Sequence, residues 1–204
     1  MNSAFIAIEG IDGSGKSTLV KFLENELRKE GYPVEKFATR ESHQEEMFRT
    51  MVNTYAPDPS SPEYMFFFQV LHADKARRVR QALAEGKVVI VDRWDISFFA
   101  WHENFGFFSR ESSDLRKGVS RLAFGDINPD LGIYLDIPVE KAIDRRLWRG
   151  DIIEDVNAEK QFYSTVVQSY RSLVKEHSWT IVDARDGFEL VRSTVWNLVK
   201  NVLK

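Results

Sequence analysis

The sequence predicts an α/β fold: a central five-stranded parallel sheet flanked by helices, in three layers. Three observations predict it. Five short apolar segments alternate with helical ones along the chain. The apolar segments show little polar alternation, so they are buried on both faces, the condition of a parallel sheet sandwiched between helices. A glycine-rich loop separates the first apolar segment from the first helix.

The elements follow in order. Ala4–Glu9 is a buried strand stopped by Gly10. Residues 16–30 form a helix, because Leu19, Phe22, Leu23 and Leu27 recur at helical spacing and Gly31 and Pro33 end it. Residues 34–39 are the second strand, and 44–53 a short helix. Residues 56–62 hold three prolines and form a loop. Residues 63–85 are a long helix closed by Gly86, and 87–91 an apolar strand that ends at Asp92. Ser113–Phe124 is helical, with Leu115, Val119 and Leu122 on one face. Leu131–Asp136 is the fourth strand, followed by a helix from Val139. Residues 158–176 form a helix, 180–182 the last strand, and 190–203 the closing helix. No repeat or domain boundary interrupts this order, so residues 1–204 are expected to form one domain.

Composition narrows the function classes. With 204 residues, 43% hydrophobic and 29% charged, the chain has the balance of a soluble globular protein with a full core. Its net charge of −3 argues against a surface that coats nucleic acid. The absence of cysteine excludes disulfides, thiolate metal sites and cysteine nucleophiles. No apolar run reaches the roughly 18 residues of a membrane span, and no basic region precedes the first strand, so neither a span nor a signal peptide is expected. A cytoplasmic location is the expectation.

Gly10-Ile-Asp-Gly-Ser-Gly-Lys-Ser17 fits G-x-x-x-x-G-K-[ST] in full, and it sits between an apolar strand and an amphipathic helix, as its mechanism requires. The fold is therefore expected to be the P-loop NTPase sandwich. Gly10, Gly13 and Gly15 let the backbone wrap an anion, and the amides of the loop, with Ser14 and Thr18, and of the helix start bind the phosphates of ATP. Lys16 adds a full charge, and the Ser17 hydroxyl is a ligand for Mg²⁺. Asp92, at a strand end, is the second candidate for the metal. The run Lys75-Ala-Arg-Arg-Val-Arg80 reads as a salt-bridged solvated face, with Asp74 four residues before Arg78. Phe66, Phe67 and Phe99 are expected in the core.

Over nearly its whole length the chain resembles thymidylate kinases, P-loop nucleoside monophosphate kinases acting on dTMP. The resemblance rests on Glu9–Thr18 around the P-loop, on Thr39-Arg40-Glu41, on Asp92-Arg93-Trp94-Asp-Ile-Ser97-Phe-Phe-Ala100-Trp101, and on Asn128-Pro-Asp130-Leu-Gly-Ile-Tyr-Leu-Asp136. It implies that Arg40 and Arg93 hold the acceptor monophosphate and that Asp12 orients that phosphate or its magnesium water. Ser97 and Trp101 would line the substrate pocket, with Trp101 excluding a 2′-hydroxyl. A lid near residues 145–157 would supply the transition-state arginine, since Ile11–Ser14 carry no base. Arg145 and Arg149, one helical turn apart, are preferred to Arg146. The family is usually homodimeric, and the long helix 63–85 is the expected interface.

The chain departs from the family in three places. Ser42-His43-Gln44 replaces Pro-Gly-Gly, and the lid is short, with Ile152 where an arginine is common. The helix that reads the base lacks the arginine four residues after the stacking phenylalanine. Spacing back from Asp92 favours Phe68 with His72, and a second alignment brings Lys75 into that role. The base thus stays open among thymine, uracil, cytosine and modified forms. A deoxynucleoside kinase with Glu41 as base, and a kinase for another monophosphate, are the enzymatic alternatives. A nucleotide-dependent switch is the non-enzymatic one, against which stands the lack of a guanine-reading N-K-x-D string.

Overall fold

A computed structural model describes residues 3–38, 42–55, 58, 61–185 and 187–204. Five parallel strands form one sheet: β1 (Ala4–Glu9), β2 (Val34–Phe37), β3 (Val88–Asp92), β4 (Leu131–Asp136) and β5 (Thr180–Asp183), in the order β2-β3-β1-β4-β5. The expected α/β class and its five-stranded parallel sheet are both present. β1 is central: Ile6 pairs with Ile90 of β3 on one side and with Leu131 of β4 on the other. The chain leaves β1 for the edge strand β2, returns to β3, and then crosses to β4. The carboxyl ends of β1 and β3 therefore border the crevice at which α/β sheets bind ligands.

Alternate residues of β1 feed two cores. Ile6 and Ile8 face α1 (Lys16–Lys29) and α8 (Phe188–Val202), with Leu19, Leu23 and Val195 fully buried. Phe5 and Ala7 face α3 (Pro62–Ala84) and α5 (Ser113–Phe124), where Val79, Phe98 and Phe124 pack. α3 begins one residue before its expected start, because Pro62 suits a first helical position and the Ser61 hydroxyl accepts the amide of Tyr64. α6 spans Val139–Arg149 and α7 spans Val156–Glu176, with the Asp155 carboxylate capping the amides of Asn157 and Ala158. α2 covers Ser42–Tyr55, two residues longer at each end than expected.

Three expectations need correction. Asp95–His102 forms a helix, α4, that the sequence does not announce. Ile96, Ser97, Phe98 and Ala100 are all buried, since α4 packs between α7 and α5. A helix buried most of the way round has no polar stripe to reveal its period. Phe66 is 61% exposed and lies outside the core. The basic run on α3 is only partly solvated: Arg77 and Arg78 pair with Asp74, but Lys75 is buried.

Candidate active site

The loop after β1 is shaped by its glycines. Gly13 has φ 86°, and a Cβ there would lie 2.3 Å from the carbonyl oxygen of Ala142 in α6. Both the left-handed backbone and the close approach require glycine. Gly10 has φ 148° and sits against Ser14 and the carbonyl of Leu135, while Gly15 is the N-cap of α1. The first-turn amides of α1 are thus left at the loop, where they favour an anion. Lys16 donates to the carbonyl of Ile11 at 2.9 Å and lies 3.8 Å from the Asp12 carboxylate. It is 6% exposed, and burial, reinforced by the charge of Arg93, brings its ammonium down to about 8. Ser14 Oγ is buried without a hydrogen-bond partner among the described residues, and Thr18 is exposed in the first turn of α1. The Ser17 hydroxyl donates to Asp92 Oδ2 at 3.0 Å across the β1–β3 crevice.

Arg93 adopts φ 70°, unusual for a residue with a side chain and worth about 1 kcal/mol of strain. Its neighbours fix that conformation. The Arg93 amide donates to the carbonyl of Ile8 at 3.0 Å, and its own carbonyl accepts from buried Lys75 at 2.7 Å. Glu9, fully buried at the end of β1, accepts the amides of Trp94 at 2.7 Å and Ser97 at 3.1 Å, so it caps α4 from another strand. The Arg93 guanidinium is then aimed at Asp12, at the Tyr170 hydroxyl (2.9 Å) and over the Trp101 ring (5.2 Å). Burial pushes the Glu9 carboxyl up, against the pull of Arg93. At Asp12 burial acts the same way, but Arg93 and Lys16 outweigh it and hold the carboxyl below its usual range.

A cavity of about 470 Å³ opens beside this cluster. Asp12, Arg93 and Ser97 line its polar part, and Phe68, His72, Phe98, Trp101 and His102 its aromatic part. The Trp101 indole N–H donates to the Tyr170 hydroxyl at 3.1 Å, which fixes the ring at the cavity wall. Of the predicted residues, the structure therefore brings together Asp12, Lys16, Arg93, Ser97, Trp101, Phe68 and His72, with Ser17 and Asp92 alongside. Lys75 does not reach the cavity, being held on the Arg93 carbonyl. Arg40 and Glu41 lie outside the described residues.

The arginines of α6 divide. Arg145 lies on the carbonyls of Ala184 (3.0 Å) and Gly13 (3.5 Å), at the loop's outer flank. Arg149 is exposed and forked onto Asp151 at 2.9 and 2.6 Å, with the charge of Asp12 on the loop within its electrostatic reach. Arg146, the one the sequence disfavours, is drawn inward: it pairs with Glu159 and Asp151 and donates to the Tyr163 hydroxyl at 3.2 Å. Tyr163 in turn donates to Asp12 at 3.1 Å.

Glu9, Tyr163 and Tyr170 are thus site residues that sequence reasoning passed over. The two tyrosines are seven residues apart, two turns along the inner face of α7, and that spacing is the only local sign they give.

Comparison with known proteins gives one consistent result. The thymidylate kinase family model matches residues 8–195. A thymidylate kinase of Bacillus licheniformis is 31% identical, over 100% of this chain and 98% of its own length. One of Caldanaerobacter subterraneus subsp. tengcongensis is 32% identical, and a probable thymidylate kinase of Pyrococcus horikoshii 33%, each over 100% of this chain and 98% of its own length. A match that spans the P-loop, the Asp92–Trp101 segment and the helix bearing Tyr163 and Tyr170 takes in every group of the site just described, and the chain belongs to the thymidylate kinase family.

Proposed function

We propose that the protein transfers the γ-phosphoryl group of ATP to dTMP, giving ADP and the diphosphate. The observation that carries this reading is the position of Asp12, which lies on the phosphate loop yet pairs with both Lys16 and Arg93. A nucleotide on the loop and a monophosphate in the 470 Å³ cavity would meet across that carboxylate. An oxygen of the acceptor phosphate attacks the γ-phosphorus in line, and the bond to the bridging oxygen of ADP breaks, with no covalent intermediate on the protein.

In this reading Gly10, Gly13, Ser14, Gly15, Ser17 and Thr18 cradle the triphosphate. Lys16 neutralises charge on the transferred group. Arg93, with Arg40, holds the acceptor phosphate, and Asp12 orients both. Ser17 and Asp92 would hold Mg²⁺ through a hydroxyl and a carboxylate oxygen, hard donors that suit the ion. When bound, the ion would screen the β- and γ-oxygens. Residues 145–157 serve as the lid of a single catalytic domain, with Arg145, Arg149 and also Arg146 available to the transferred group. Trp101 borders the sugar. The reading also assigns a cytoplasmic location and a homodimer, the latter supported by Phe66 and Val70, exposed one turn apart on α3.

An acceptor panel tests this: MgATP with dTMP, dUMP, dCMP, dGMP, dAMP, 5-substituted dUMPs and the free nucleosides. Turnover of deoxypyrimidine monophosphates is the expected result. Phosphorylation of thymidine but not dTMP would instead identify a nucleoside kinase.

A further inference from the structure

One peptide unit beside the cavity is gripped by two buried charges, and what this implies rests on the phosphotransfer reading above. Lys75 lies on α3 and is 3% exposed. Its ammonium makes no ion pair among the described residues; its hydrogen bond goes to a backbone carbonyl, that of Arg93, at 2.7 Å. At the other end of the same peptide unit the Trp94 amide donates to Glu9 Oε1, also at 2.7 Å. Glu9 is fully buried at the end of β1. The Arg93–Trp94 peptide thus lies between an ammonium at its oxygen and a carboxylate at its N–H, each facing the end of the peptide dipole that it stabilises.

Both charges are costly where they sit. Burial disfavours the ammonium, and of the carboxylates that support it Glu9 acts more strongly than Asp92 or Asp95. Burial likewise raises the Glu9 carboxyl. Neutral polar groups could bond the same peptide without that desolvation, so the fold alone does not call for charges here. What the pair holds is the backbone of Arg93, whose φ of 70° is left-handed and whose own amide is tied to the Ile8 carbonyl. Relaxation to the right-handed region would turn the peptide, taking its carbonyl off Lys75 and the Trp94 amide off Glu9. That backbone sets where the side chain goes: Nη1 donates to the Tyr170 hydroxyl at 2.9 Å and Nη2 to Asp12.

We propose that Lys75 and Glu9 are positioning residues for Arg93, gripping the Arg93–Trp94 peptide from its carbonyl and amide ends so that the guanidinium is held toward the acceptor phosphate. Neither touches substrate; both act through the backbone between them.

The test uses Lys75→Met, Glu9→Gln and the double variant, with KM and kcat for dTMP measured beside ATP affinity. Lys75→Met should raise the acceptor KM by at least about tenfold, the scale of one hydrogen bond to a charged group, and leave ATP affinity within about twofold. Glu9→Gln keeps an acceptor oxygen and should raise that KM by about threefold or more. A residue that only supports the fold would lower the active fraction, and with it kcat, without moving KM. Because each charge answers the other, the double variant should lose less kcat/KM than the product of the two single losses. The chain has no cysteine, so Lys75→Cys can be alkylated at that one thiol in the unfolded state with 2-bromoethylamine, which rebuilds an ammonium at lysine length. Refolded beside wild type, it should bring KM back to within about threefold of the wild-type value. If Lys75→Met does not fold, Glu9→Gln and the alkylated protein carry the test. An acceptor KM within about twofold of wild type in the folded single variants, or single losses that simply multiply, overturns the clamp while leaving phosphotransfer to dTMP intact. Failure of wild type to phosphorylate dTMP or any other pyrimidine monophosphate overturns that reading and this one together.

Discussion

Lys16 stands alone on its loop as a full positive charge, and it is held ready by the carbonyl of Ile11 rather than by tight pairing, since Asp12 is 3.8 Å away. Its ammonium can therefore transfer to a phosphate without breaking a strong ion pair. Lys16→Ala should lower kcat by well over tenfold, a loss of a few kcal/mol typical of an electrostatic contact made at the developing charge, with the fold retained by circular dichroism. A variant keeping more than about a tenth of wild-type kcat would place the needed charge elsewhere. Trp101 poses a different question, because its ring is fixed by two polar groups, the Tyr170 hydroxyl and the Arg93 guanidinium. A wall so fixed cannot yield to an extra hydroxyl. Wild type should prefer dUMP to UMP in kcat/KM by about 1–3 kcal/mol, and Trp101→Ala should narrow that gap. Trp101→Phe, which keeps most of the packing, should narrow it less. An unchanged deoxy-to-ribo ratio in both variants would mean that Trp101 only packs.

At the scale of elements, α6 and α7 connect the proposed lid, residues 145–157, to the loop. Gly13 touches Ala142, Arg145 reaches the Gly13 carbonyl, and Arg146 joins Asp12 through Tyr163. In the proposed reaction, a movement of α6 would be transmitted to the phosphate loop and to Asp12. Arg145→Ala and Arg149→Ala should each cut kcat strongly while changing nucleotide affinity less, because a lid acts after binding. Arg146→Ala should also raise KM for the acceptor, since it loosens Tyr163 and with it Asp12. Titration of ATP affinity beside steady-state kinetics separates these outcomes; normal turnover by both Arg145→Ala and Arg149→Ala would remove them from the chemistry. The same elements show what a sequence can and cannot declare. β1, β3 and β4 are legible because burial on both faces leaves a run of apolar residues up to the acid that ends each strand, and the P-loop because its glycines serve backbone shape. α4 is not, since burial on nearly every side erases the helical period. Glu9 reads as the last residue of a strand, and only the tertiary fold turns it into the cap of α4. The choice among Arg145, Arg146 and Arg149 was equally hidden: spacing along α6 gives their directions, but the position of Tyr163 on α7 decides which is drawn inward.

For the whole molecule, the site concentrates buried charge at the end of the sheet, and this should be visible in stability. Lys16 and Lys75 are both buried, and burial brings each ammonium down to about 8, with Arg93 adding to the shift. In the unfolded chain both return to the ordinary value near 10.4. Between those limits the unfolded state binds more protons than the folded one, so folding stability rises with pH from about 8 toward 10. The buried phenols act in the opposite sense higher up: burial raises Tyr163 and Tyr170, so the folded state retains protons that the unfolded chain loses above about 10. The window of rising stability is thus pH 8 to 10. The gain should be on the order of 1–3 kcal/mol between about pH 8 and 9.5, a rise of a few degrees in Tm for a chain of this length. Two controls assign it. Lys75→Met should remove roughly half the slope. Saturating nucleotide should flatten it further, because phosphate restores the charge on Lys16 and raises its pKa. Calorimetric melting of the nucleotide-free protein from pH 7.5 to 9.5 makes the measurement. A Tm that stays level or falls across that interval would show that the two lysines are not held in a desolvated site, and the account of how Lys16 and Arg93 are poised would fall with it.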